Sequence, residues 1–345
     1  MGVTFDWYNR TTSDILTTAN LPATLGADAP YENMGTIQTK GWELAIDYRH
    51  TFKNGLHFGV TASVADDKTE VTKWTYNTKI PSYGATGWWD KSAYKEGMVL
   101  GDIWGLQFDR FLTEDDFNAD GSLKAGLPDQ TKVFPAGYQF APGDVLYKDL
   151  DNNGEIVKQT NTNDKGDLSV IGNALPRLQF GLNLDAAWKG FDISMFFQGV
   201  AKRKLWAAGN QVLPGFTTGE PFYKGAEDYW TPENTDAFYP RPMDYKQSAS
   251  GNYSVNDRYL LNMAYLRLKT FTVGYSLPKV WLSKFKVQGL RVYFTGENLF
   301  TIDGVKPAID PEIGIRTASG KSDQRNFGRS YPYQKTVSFG IQLSL

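Results

Sequence analysis

The chain has no cysteine. Disulfides, thiolate metal sites and cysteine nucleophiles are excluded together. The absence suits a protein that crosses an oxidising periplasm, although many cytosolic chains also lack the residue. Only two histidines occur, His50 and His57. They flank one tight turn, where a solvated ring is the ordinary state, which argues against a histidine-based triad or a zinc site. Neither charge sign is in excess: 36 basic and 38 acidic residues leave a net charge of −2. Bulk electrostatics therefore offer nothing to nucleic acid. No apolar run approaches the roughly 20 residues of a transmembrane helix. If the chain crosses a membrane it does so as a barrel, the other structure that satisfies its own backbone in lipid. No leader opens the sequence, and Met1-Gly2-Val3 runs straight into the strand-like VTFDWYNR. An exported protein needs a leader, so under the barrel reading this sequence is expected to be part of a longer one. Enzyme constellations are missing too. Gly320-Lys321-Ser322 lacks the upstream glycine of a phosphate loop, and no two carboxylates are paired by position.

What the sequence has is alternation. From Gln334 to the end, Val337, Phe339, Ile341, Leu343 and Leu345 alternate with Thr336, Ser338, Gly340, Gln342 and Ser344. Period two places the two sets on opposite faces of a strand. The same pattern recurs at Val3–Tyr8, Trp42–Arg49, Leu56–Val64, Arg177–Trp188, Phe191–Gln198 and Leu290–Thr295. Residues Ala264 to Leu277 alternate but change phase, which a β-bulge near Thr270 explains. Eight strands are thus expected, joined alternately by long and short connections. The long ones are 11–35, 66–175, 202–262 and 300–333; the short ones are 53–55, 189–190 and 278–289. Outer-membrane barrels sort their connections in this way, with short periplasmic turns and long extracellular loops. A soluble sandwich has no reason to. The aromatic content of 14% suits either aromatic girdles in a membrane or the core of a soluble β protein.

Several stretches together resemble the SusC/RagA family of TonB-dependent outer-membrane transporters. They include Lys40-Gly41-Trp42-Glu43-Leu44, the run Gly143-Asp144-Val145-Leu146-Tyr147-Lys148-Asp149-Leu150-Asp151, and Ile171-Gly172-Asn173 with Pro176. Gly181-Leu182-Asn183-Leu184 and Trp188-Lys189-Gly190-Phe191-Asp192 follow. Tyr265-Leu266-Arg267-Leu268-Lys269, Gly274-Tyr275-Ser276-Leu277-Pro278, Gly296-Glu297-Asn298-Leu299-Phe300 and Asp310-Pro311-Glu312 complete the order. Each motif is weak alone, and their succession along the whole chain is specific. The resemblance implies an all-β fold: an antiparallel transmembrane β-barrel portion, the last eight of about 22 strands, with long extracellular loops. Residues 1–345 are then one unit, with the plug domain and the earlier strands outside this sequence. It implies the outer membrane of a Gram-negative, Bacteroidota-like cell, an oligosaccharide or peptide substrate, energy relayed through TonB, and a SusD-like surface lipoprotein as lid.

Two clusters carry possible chemistry. Asp149-x-Asp151-x-Asn153-Gly154-Glu155-Ile156 opens like a calcium loop, with oxygen donors at alternate positions and the Glu155 carbonyl at the seventh. Its twelfth position is Thr160, which cannot chelate as a carboxylate does. The resemblance supplies Asp167, ahead of Ile171, as the closing acid beyond an insertion. A structural Ca2+ ion is one expectation, and an Asx-rich turn capped by its own side chains is the other. Asp116-x-Asn118-x-Asp120-Gly121 repeats the spacing with Leu127 at the twelfth position, and reads as a turn. The loop aromatics Trp88, Trp89, Tyr94, Trp206 and Trp230 are candidates for stacking on a substrate, against the ordinary alternative of packing the loops. Lumen-facing Glu43, Asp47, Arg49, Arg267, Lys269, Arg291 and Glu297 are expected along the solute path or against the plug. A passive part of a nutrient transporter is the leading expectation. A calcium-stabilised surface glycan-binding protein or adhesin is the alternative.

Overall fold

A computed structural model of the chain describes residues 1–18, 30–75, 95–158, 164–207, 209–216, 222–243, 251–282, 287–306, 309–312, 317–318, 321–322 and 331–345. The alternating segments form strands β1 (Gly2–Thr18), β2 (Tyr31–Thr51), β3 (His57–Trp74) and β4 (Arg177–Trp188). They continue as β5 (Phe191–Lys202), β6 (Tyr265–Ser276), β7 (Gly289–Glu297) and β8 (Thr336–Ser344). Each pairs antiparallel with the next, so the sheet follows chain order from β1 to β8. A short piece, Thr301–Asp303, pairs with β6 beside β7. Short turns join the strands at one end of the sheet and long loops at the other, as the sequence predicts.

The bulge expected near Thr270 is present. Leu268 pairs with Phe197 and Thr270 with the adjacent Phe196, which leaves Lys269 as the extra residue. It carries the apolar face of β6 from Leu268 to Phe271, Val273 and Tyr275. The first long loop is a correction. It is expected over 11–35, yet β1 runs to Thr18 and β2 begins at Tyr31, paired with it. A register shift after Thr12, with Asp14 at φ 56°, interrupts the alternation and hides the strand's continuation. β3 likewise runs past Ala65 to Trp74, through DDKTEVTKW. At 17, 21 and 18 residues, these strands exceed the roughly 9–11 residues that cross a bilayer. Their long-loop ends extend past that span and pack partly against the loops, with Val71, Trp74 and Thr39 buried.

The two faces of the sheet differ. One bears Phe58, Trp188, Phe191, Val292 and Phe339, all exposed, with Phe339 at 82%. The other carries charges paired across strands. Arg291 on β7 reaches over β6 to the carboxylate of Asp192 on β5, with Nε 2.9 Å from Oδ1. Gly274 on β6 makes the crossing possible, since a Cβ there would come within 2.5 Å of the guanidinium. A bare apolar face opposite a wet one is the arrangement of a membrane barrel wall.

The buried core lies in the loops. One cluster joins Ile103, Trp206, Leu213, Tyr259 and Met263 with Val305, drawing on three of the long loops. A second joins Leu106, Phe111, Val145, Tyr147 and Ile156 with Trp230. Asp144, fully buried, stitches two loops together. Its carboxylate accepts hydrogen bonds from Arg241 Nε at 2.8 Å, Tyr138 Oη at 2.9 Å and Asn252 Nδ2 at 3.0 Å. Asn252 in turn accepts from the Val145 amide at 2.8 Å.

Two outcomes are expected. The uncovered apolar face keeps the chain in detergent or lipid, and a monodisperse, cooperatively folded species in detergent-free buffer would contradict the wall assignment. Asp144→Ala leaves the half-buried Arg241 guanidinium and the buried Asn252 amide without their carboxylate acceptor. It should destabilise the loop assembly by about 3 kcal/mol, read as earlier thermal loss of protease resistance in the loops than in the strands.

Candidate metal centre

The short strand Val145–Tyr147 is buried throughout and pairs with Phe108–Phe111. After it the chain enters a turn whose residues Asn152 and Gly154 have φ of 58° and 84°. Asparagine and glycine tolerate this left-handed region. The turn is folded by its own side chains. Asp149 Oδ2 accepts from the Gly154 amide at 2.8 Å, Asp151 Oδ1 from the Asn153 amide at 3.1 Å, and Asn153 Oδ1 from the Glu155 amide at 2.8 Å. Beyond the insertion the chain returns, and the Asp167 amide donates to the Val157 carbonyl at 2.9 Å. The Asp167 side chain is fully buried. Its two oxygens accept from the amides of Leu150 and Val157, both at 2.8 Å, and so close the loop on itself.

One carboxylate oxygen each from Asp149, Asp151 and Asp167 lies within 4.8 Å of the others. Two oxygens on opposite sides of a calcium ion stand roughly 5 Å apart, so the spacing and the all-oxygen donor set fit a hard divalent cation. Partial desolvation, followed by the like charges of Asp167 and Asp149, raises the Asp151 carboxyl above its ordinary value, against a hydrogen bond from the Asn153 amide. Desolvation also pushes the Asp149 carboxyl up, but the amides of Gly154, Asn152 and Asn153 outweigh it and hold that group low. Asn153 belongs to the same turn. The Glu155 side chain turns away and pairs with Lys132, leaving only its backbone to the cluster.

The second Asp/Asn/Gly cluster is organised differently. Arg110 donates to both oxygens of Asp116, at 2.6 and 2.7 Å, and holds its carboxyl down to about 2. Asp120 caps Ser122. These groups are occupied by internal partners, and the segment is a turn.

The aromatic candidates divide. Trp88, Trp89 and Tyr94 lie outside the described residues. Trp206 and Trp230 are corrections: at 1% and 7% exposure they are core residues, with ring faces covered by protein and closed to a substrate. Trp230 also backs Gly143, where a Cβ would meet the indole at 2.5 Å. Aromatic identity alone does not say whether a ring is covered, and large rings between long loops bury area first. The open aromatics are elsewhere. Phe222 and Tyr229 are exposed and line a cleft of about 700 Å³ with Tyr223, Tyr239, Pro240 and Pro242. Arg267 is a further correction. Its guanidinium is not free on the solute path, because it is bound to Asp310 at 2.7 Å and Glu312 at 2.5 Å. Glu312 also receives Lys269 Nζ and Tyr265 Oη, both at 2.8 Å. The motif Asp310-Pro311-Glu312 therefore pins the last long loop to the polar face of β6.

No family model matches the chain. Among known proteins it is similar to TonB-dependent receptor P3 of Formosa agariphila, with 27% identity over 99% of this chain and 32% of the relative. It is also similar to TonB-dependent receptor SusC of Bacteroides thetaiotaomicron, with 22% identity over 99% of this chain and 29% of the relative. The chain thus spans about a third of the length of the curated relatives it matches. In fold it matches the structure of the RagAB peptide transporter, with a TM-score of 0.65, 19% identity, and coverage of 99% of this chain and 33% of that one. Along almost its whole length the chain is thus similar to part of TonB-dependent receptors of the SusC/RagA kind, and its fold is that of an outer-membrane β-barrel wall.

Proposed function

We propose that the chain is the C-terminal wall and loop cap of an active nutrient importer of the outer membrane. The observation that carries this reading is one sheet with an exposed apolar face, a charge-paired polar face and all long loops at one end, in a chain aligned along its whole length with TonB-dependent receptors. In this role the wall does no chemistry. The apolar face meets lipid, the polar face meets the lumen and the plug, and the packed loops form the outer mouth. Energy comes through TonB, and a SusD-like surface lipoprotein closes over the loops. The solute is an oligosaccharide or a peptide. A surface adhesin with the same calcium loop would leave the sorted connections without a reason.

The test uses the complete receptor. Cells that carry it should accumulate labelled solute only with functional TonB. Ending the chain before β8 should abolish surface display and uptake together. Undiminished uptake by the truncated receptor would remove β8 from the wall.

Within this role, the loop from Asp149 to Asp167 serves as a structural calcium site. The ion would be held by Asp149, Asp151, Asn153 and Asp167, with the Glu155 carbonyl, and would lock the two sides of the insertion together. Asp149→Ala and Asp167→Ala, made separately in the receptor, should each weaken calcium binding by about tenfold or more, since each removes a charged ligand. Unchanged calorimetric titrations for both variants would leave the Asx turn as the whole account.

A further inference from the structure

The short-turn end of the apolar face carries a row of aromatic rings. Tyr48 on β2, Phe58 on β3, Trp188 on β4 and Phe191 on β5 are exposed there. Tyr275 on β6 continues the row, its ring centroid 4.5 Å from that of Phe191. Rings of this kind belong at the headgroup level of a bilayer, where an apolar body and a polar edge are both accommodated. The row then stops. Tyr275 pairs with Val292 on β7, and Val292 with Ile341 on β8. Nearer the turn the pair is Leu290 with Leu343. The next aromatic pair, Phe294 with Phe339, lies two residues deeper, roughly 7 Å into the hydrocarbon.

The connection between β6 and β7 is also unlike the other two short turns. It contains a helical turn, Lys279–Leu282. Leu282 is buried and seats the turn, while Trp281 is 61% exposed. The connection leaves and returns on the apolar side of the sheet: the Leu277 amide bonds the Leu290 carbonyl at 2.9 Å, and both side chains continue the apolar alternation. Its last residue is tied to the final strand, since the Gln288 amide donates to the Ser344 carbonyl at 2.9 Å. Lysines accompany the exposed rings on all three short turns, at Lys53, Lys189 and Lys279. Lys189 Nζ lies 4.5 Å over the Trp188 ring.

We propose that Trp281 is the interfacial anchor of the final hairpin, seated with Lys279 among the phospholipid headgroups of the periplasmic leaflet and replacing the ring that β7 and β8 lack. The occupant is lipid, because the connection joins β6 and β7, whose apolar face, with Val292 exposed on it, is the lipid-facing one. A lysine beside the indole complements headgroup phosphate. The helical turn begins three residues past Ser276, the end of β6, so Trp281 stands on the short-turn side of the strand ends. The assignment rests on the barrel reading above.

This chain lacks cysteine, so once any cysteine in the rest of the receptor is replaced by serine, each introduced thiol is the single labelling site. In the complete receptor, folded into phosphatidylcholine–phosphatidylglycerol vesicles, a polarity-sensitive fluorophore is attached at Trp281→Cys. A second variant, Lys279→Cys, carries the label beside the intact indole. Asn54→Cys at the tip of the β2–β3 turn reports water, and Val273→Cys on the apolar face reports lipid. Labels at 281 and 279 should emit to the blue of the label at 54, lose most of its quenching by iodide, and be quenched by nitroxide lipids labelled near the headgroup. If both respond to iodide as position 54 does, while position 273 responds to nitroxide lipid, the anchor is wrong and the barrel stands. If position 273 also ignores lipid, the barrel reading falls and the anchor falls with it.

Discussion

A strand that crosses hydrocarbon must meet two demands at once. Every backbone amide and carbonyl must be bonded within the sheet, because no water is present to replace a partner. One face must also dissolve in lipid while the other stays wet. Most of this chain's architecture answers those demands. The ladder from β1 to β8 runs in chain order without a crossover, the simplest way to bond each of β2 to β7 on both sides. The faces separate by residue parity, and where parity slips, at Lys269, a bulge restores it. Even the charged groups of the wet face obey the ladder. Arg291 and Asp192 belong to strands that are not neighbours, and they meet only because the strand between them offers Gly274.

The loops face the opposite problem. Long connections carry a large ordering entropy, and none of the sheet's apolar surface is available to offset it. They therefore build cores of their own, drawn from three loops in one case. Polar clamps then fix how those cores meet. Asp144 is bonded by groups from 138, 141, 241 and 252, so one buried carboxylate sets the distance between the second and third loops. Arg267, with Asp310 and Glu312, does the same between the last loop and β6. The outer end is thereby a folded body joined to the wall at defined points. A candidate calcium loop attached to the strand Val145–Tyr147 of that body has a rigid base on which to hold three carboxylates.

Legibility in the sequence follows from the same physics. All eight strands were readable wherever one face meets lipid, because that burial imposes period two. The upper ends of β1, β2 and β3 were not readable. The isolated buried residues there, Thr39, Val71 and Trp74, meet loops and not lipid, and the register shifts near Asp14 and Thr36 break what pattern remains. The opening of the carboxylate cluster was legible as Asp149, Asp151 and Asn153, since a turn reads its ligands locally. Asp167 required a family resemblance, and the structure shows why: it reaches the cluster across an insertion by capping Leu150 and Val157, a long-range contact with no local signature. Trp206 and Trp230 misled because composition does not distinguish a covered ring from an open one. Arg267 misled because its acidic partners lie more than forty positions away.

The last hairpin shows how far local pattern can be trusted. Its alternation is the clearest in the chain, yet β7 and β8 have only aliphatic residues at the level where β2 to β6 place a ring. A strand end in hydrocarbon alone has nothing to fix its depth, since sliding by a residue pair exchanges one aliphatic group for another at little cost. An aromatic ring at the interface gives depth a minimum. In this chain the ring stands outside the strands, on a helical turn whose connection ends in a hydrogen bond to Ser344. Depth information for β8 therefore resides in residues that show no β periodicity at all. A reading based on strand pattern alone passes over them as a linker, although the register of the final strand in the bilayer depends on what that linker holds.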